Sequence, residues 1–90
     1  MLEGKVRIVN PLGLHARAAS RLVRLASGFK CRITTVRLDT GVFADAKSIL
    51  SVLTLAAPQW TELTLKTDGV DEADAFEAVS TLIGNGFGEL

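Results

Sequence analysis

A chain of 90 residues, 48% of them hydrophobic, is long enough for one core and too short for two. Ten Lys and Arg balance ten Asp and Glu, so the basic excess expected of a protein that binds bulk nucleic acid is missing. No apolar run reaches the ~18 residues that cross a bilayer, MLEGKVRIVN lacks a signal-peptide core, and a lone cysteine allows neither an internal disulfide nor a thiolate metal cluster. The expectation is a cytoplasmic protein in a reduced compartment, with no nucleic acid partner and no membrane insertion. The charge is unevenly placed: residues 1–45 carry eight Lys/Arg against three Asp/Glu, and residues 46–90 carry two against seven. A basic patch that meets an acidic partner protein fits this asymmetry, as does a mixed surface without a function.

Alternation over Leu2–Val9 puts Leu2, Val6 and Ile8 on one face and Glu3, Lys5 and Arg7 on the other, the pattern of a half-buried strand. Asn10-Pro11-Leu12-Gly13 breaks it. From Ala16 to Ser27 the period becomes helical. Ala18, Ala19, Leu22, Leu25 and Ala26 form an apolar stripe, and Arg17, Arg21 and Arg24 form a separate one. Gly28 is a natural stop.

Cys31–Leu38 reads as a second strand and Val42–Ala44 as a short third, with a hairpin turn at Asp39-Thr40-Gly41. A short helix follows from about Ser48, with Ile49, Leu50 and Leu53 as its apolar face and Val52 as an optional fourth member, and Pro58 closes the region. Thr61–Thr67 alternates again, Leu63 and Leu65 facing one way. The last helix carries start signals: Asp71 as cap, Asp74 three residues on, and Val70 placed to staple against Ala75. Ala75, Phe76, Val79, Leu82 and Ile83 are its core stripe, and Gly84 and Gly86 mark its end. Phe43 and Trp60 are expected to pack in the core or at an edge, and Cys31 to be a small buried apolar residue.

The order is β-α-β-β-α-β-α. Four short strands make one layer with helices on one face, and a split βαβ unit with a mostly antiparallel sheet is the expected α+β solution.

Chemistry gathers in one segment, Gly13-Leu14-His15-Ala16-Arg17, where a loop turns into the first helix. A helix start leaves unpaired N–H groups and a partial positive charge, a ready anion site. Arg17 adds a fixed cation suited to phosphate. Imidazole is substantially neutral near pH 7 and attacks phosphorus. A helix-capping or core-packing histidine is the plainer alternative. One histidine and one distant cysteine offer too few ligands for a metal site. No Ser-His-Asp order or second base points to a hydrolase.

Gly-Leu-His-Ala-Arg resembles the active-site signature of the histidine-containing phosphocarriers, the HPr family of the bacterial phosphotransferase system. Ala46-Lys47-Ser48-Ile49-Leu50 is similar to that family's regulatory serine region, at the matching separation, and the resemblance covers nearly the whole chain. It implies one HPr-like domain over residues 1–90, an open-faced sandwich that acts as a carrier rather than a self-sufficient enzyme, with no cofactor and no metal. It implies that His15 takes a phosphoryl group on Nδ1 from enzyme I, assisted by Arg17, and passes it to EIIA domains of sugar permeases or to regulatory proteins. It also implies control at Ser48 by an HPr kinase/phosphorylase; helix N-capping is that serine's other role. Arg21 and Arg24, with Ile49 and Leu53, are the expected docking residues. The chain departs from the family at two places: Ala18 stands where proline is usual, and Ser51 where glycine is frequent. A regulatory paralogue without a sugar-transport role, and a small-ligand-binding βαβ module that is never phosphorylated, are the competing readings.

Overall fold

The computed structural model describes residues 1–90. Strand β1 spans Leu2–Arg7, helix α1 Ala16–Ala26, β2 Arg32–Arg37, β3 Phe43–Asp45, α2 Ile49–Leu53, β4 Glu62–Asp68 and α3 Glu72–Gly84, and a 3₁₀ turn follows at Gly86–Gly88. The sheet runs β1-β4-β2-β3 with every neighbouring pair antiparallel. Strand β4 sits between β1 and β2, so the β1-α1-β2 unit is split.

The alternation predicted from sequence sets the two faces. Val6 pairs with Leu63, Gly4 with Leu65 and Thr35 with Leu65, placing one set of side chains under the helices. Glu3, Lys5, Arg7 and Arg32 point to solvent on the other face. Gly4 makes room for Phe76 of α3: a Cβ at this position would lie 2.7 Å from the ring. The core joins Ile8, Ile33, Leu63 and Leu65 of the sheet region to Ala18, Ala19 and Leu22 of α1 and Ala75, Val79 and Ile83 of α3. Cys31 belongs to this core, as expected.

Several local expectations are corrected. The first strand ends two residues early, although Ile8 stays fully buried and its carbonyl accepts from the Trp60 N–H at 2.6 Å. Leu2, at the sheet corner, is exposed, and Leu25 of α1 is only half-buried. Helix α1 ends with Ser27 in a right-handed conformation, so no left-handed glycine is needed at Gly28. The third strand begins one residue later than Val42. Phe43 and Trp60 are 72% and 60% exposed, so neither is a core residue. In α2 only Val52 is buried, because a helix of five residues lying on the core has room to turn one side chain inward.

The start of α3 differs most. Asp71 makes no side-chain bond to its own helix; its carboxylate accepts instead from the Lys30 and Cys31 N–H groups, at 2.8 and 2.9 Å. Val70 is 89% exposed and staples nothing. The chain beyond Gly84, for which no element was expected, folds back and buries Phe87 to 1% exposure.

Candidate functional site

The loop from β1 to α1 is held from both sides. Asn10, fully buried, donates from Nδ2 to the Gly13 carbonyl at 2.7 Å. Gly13 has φ +67, and a Cβ there would lie 2.6 Å from the Ala57 carbonyl oxygen, so the turn demands glycine. Leu14 is buried, and its N–H donates to that same carbonyl at 2.9 Å. The next residue is therefore delivered at a defined point.

That residue is His15, the N-cap of α1, with extended backbone (φ −77, ψ 178) and no side-chain cap bond. Its carbonyl accepts the Ala19 N–H at 2.8 Å. The N–H groups of Ala16, Arg17 and Ala18 find no acceptor in the chain. The imidazole is 26% exposed, neither sealed inside nor fully free. Its Nε2 lies 2.6 Å from Oε2 of Glu89, and Nδ1 has no partner.

Glu89 was not found from sequence, where no second group near the histidine is visible. Its other oxygen, Oε1, accepts from Asn10 Nδ2 at 2.8 Å. The Asn10 bond, then the His15 bond and the charge of Arg21, hold this carboxyl below the usual carboxylate range against the opposing effect of desolvation. Glu89 is therefore ionised near neutral pH. An ionised carboxylate only accepts, so in the neutral ring Nε2 carries the proton and Nδ1 presents a lone pair. Glu89 and Asn10 lie 74 and 79 residues from their partners across this bridge, a separation no local pattern reveals. The one signal in the sequence was Phe87 between two glycines, an apolar residue where the chain can reverse.

Arg17 is exposed and lines one cleft with Pro11, Leu12, Arg21, Gly88 and Glu89. Arg21, expected as a docking residue, donates from Nη1 to the Phe87 carbonyl, so part of its guanidinium is committed to the chain's own tail. Arg24 and Ile49 line a second cleft, with Ala16, Ser20 and Val23, where α1 meets α2. Ile49 and Leu53 are exposed and Leu50 more so, at 75%. Ser48 caps α2, accepting the Ser51 N–H at 3.3 Å. The Ser51 hydroxyl in turn accepts from the Asp45 N–H at 2.9 Å, which gives this serine a use that glycine lacks.

The site so built can bind a small anion at three free amides beside a guanidinium and offer it a nucleophilic nitrogen. A family model described as the PTS HPr component phosphorylation site matches residues 2–85. The phosphocarrier protein HPr of Cupriavidus necator is 46% identical over 89 residues, covering 99% of this chain and 98% of that protein. That of Neisseria meningitidis is 43% identical over the same length. Among solved structures, HPr-C-His from Thermoanaerobacter tengcongensis superposes with a TM-score of 0.93 at 36% identity, over 100% of this chain and 99% of that one. HPr from Bacillus anthracis does so with a TM-score of 0.85 at 29% identity, over 91% and 95% of the two chains.

Proposed function

The chain belongs to the HPr family of phosphocarriers of the phosphotransferase system, and on that premise we propose that His15 receives the phosphoryl group from phospho-enzyme I and passes it to an EIIA domain. The observation that carries this reading is the seat of the ring: Nε2 is occupied by Glu89 while Nδ1 stays open at a helix start with three free amides. Phosphoryl transfer rests on alignment and charge stabilisation. The amides and Arg17 supply the charge, and the pinned Asn10–Leu14 loop supplies the alignment. Residues 1–90 act together as one carrier domain that does not turn over alone, and a cytoplasmic setting fits these partners.

Arg24 and Ile49, which share a cleft, and the exposed Leu53 of the same helix α2 form the docking surface for enzyme I and EIIA, Arg21 contributing from the neighbouring cleft. Ser48, half-exposed at the edge of that surface, is the regulatory site of an HPr kinase/phosphorylase. A phosphate there is tolerated by the helix start but puts charge beside Ile49 and Leu53.

Incubation with phosphoenolpyruvate and enzyme I, followed by mass spectrometry, tests the carrier reading. An acid-labile mass gain is expected, absent in His15→Ala; a gain that persists in that variant overturns it. In the same assay Ser48→Asp is expected to load more slowly, and equal loading removes the serine from this account.

A further inference from the structure

The chain's last residues reach the ring through a sharp reversal that is anchored in the core. After α3, Gly86, Phe87 and Gly88 all adopt positive φ, at +63, +57 and +78. A left-handed conformation is unfavourable at a residue with a Cβ, yet Phe87 holds it. Burial of its side chain and the Arg21 bond to its carbonyl secure the reversal. The Glu89 N–H donates to the Gly86 carbonyl at 3.0 Å, and the carboxylate then meets Asn10 with one oxygen and His15 with the other. Both oxygens are engaged and the side chain is 14% exposed.

We propose that Glu89 is a positioning residue, which fixes the proton of His15 on Nε2 and balances the positive charge that the ring acquires when Nδ1 is phosphorylated. The inference rests on His15 being the phosphorylated residue. In loading, the Nδ1 lone pair forms a bond to phosphorus as the bond between phosphorus and the donor's leaving atom breaks, and that electron pair stays on the donor. The ring keeps its Nε2 proton and becomes an imidazolium, which the facing carboxylate stabilises. In unloading, the Nδ1–phosphorus bond breaks, its electron pair returns to Nδ1, and the ring leaves neutral. No proton enters or departs in either direction. The groups facing the ring–carboxylate pair are Asn10 from the loop and Arg17 and Arg21 from α1; the two arginines work against the positive ring, which makes the single carboxylate matter more.

Two measurements test this. The first, on unphosphorylated protein, is the ¹⁵N spectrum of the His15 ring above its titration range. The parent protein is expected to show protonated Nε2 and bare Nδ1, and E89A to shift both signals toward a tautomer mixture. The second follows hydrolysis of the enzyme I-loaded proteins by ³¹P NMR across pH. Phosphoimidazolium hydrolyses faster than its neutral form because the ring departs uncharged, so the rate falls once Nε2 loses its proton. That fall is expected at lower pH in E89A, and also in E89Q, which retains the shape and an acceptor but not the charge. A parent protein with its proton on Nδ1, or a hydrolysis profile unmoved in both variants, overturns the proposal. Failure of His15 to load at all would instead overturn the carrier reading, and the ring spectrum reads the Glu89 contact in either event.

Discussion

At Ala18 the chain keeps a backbone N–H where the family usually has proline. The side chain is fully buried against the core, so the methyl group serves packing while the amide faces the helix start with no acceptor. Proline there would suit the first turn of a helix but remove that donor. Ala18→Pro is expected to slow loading of His15 and shorten the life of the phosphohistidine, by up to about tenfold, the order of one lost charge-assisted hydrogen bond. Loading kinetics and phosphohistidine decay of the two proteins side by side check this; unchanged values would mean that the third amide does not touch the phosphoryl group. The residue scale also shows where local reading stops. Gly13 reads as a turn glycine from its neighbours alone, but what forbids a side chain there is the Ala57 carbonyl, from a loop more than forty positions away.

At the scale of elements, the joins between secondary structures matter more than their ends. Arg37 of β2 grips the Asp39 carboxylate and donates from Nη1 to the Leu55 and Ala56 carbonyls, at 2.9 and 3.0 Å. That fastens the segment after α2 whose next carbonyl, Ala57, holds Leu14. Asp71 is a second such join, tying the start of α3 to the start of β2. The Lys30 amide first, then Cys31, keep its carboxyl below the ordinary range despite desolvation. Because the folded-state pKa is lowered, this contribution to stability is fully present at neutral pH and is lost as pH falls through the depressed value. Asp71→Asn retains one acceptor and turns an N–H₂ toward the other amide. It is expected to melt a few degrees lower at pH 7, with the gap to the parent protein closing in acid. Melting curves between pH 7 and pH 3 decide it; a gap of constant size would show that the charge of Asp71 is irrelevant.

Over the whole molecule, the split of charge between the two halves of the chain becomes a surface with a direction. Arg7 pairs with Glu62, the N-terminal ammonium with Glu72 and His15 with Glu89, so acidic residues of the second half meet groups of the first. Arg17 and Arg24 have no ion pair in the chain, and Arg24 shares a cleft with Ile49 of α2, whose outer side chains are apolar and exposed. Unpaired cations near an apolar patch steer an acidic partner, and their effect fades once salt shortens the screening length to about 8 Å near 0.15 M. Arg24→Glu is therefore expected to slow association with enzyme I by about tenfold at low ionic strength, with little difference left at high salt. Stopped-flow association rates over a salt series measure this, and parallel salt dependences for the two proteins would exclude steering through Arg24.

Alternation and helical spacing were enough to place all four strands, the three helices and the loop-to-helix seat of His15 and Arg17, because those signals depend on residues two to four positions apart. The same locality explains the misses. Asp71 reads as a cap from its own helix, but the amides of Lys30 and Cys31 lie closer to its carboxylate once α3 is docked. Phe43 and Trp60 read as packing residues because an aromatic side chain carries no mark of which side of a one-layer sheet it will face. The carboxylate on the ring, its buried Asn10 support and the reversal at Phe87 exist only after both ends of the chain have closed on the core. That closure, which joins residues separated by most of the chain, is decided by tertiary packing alone.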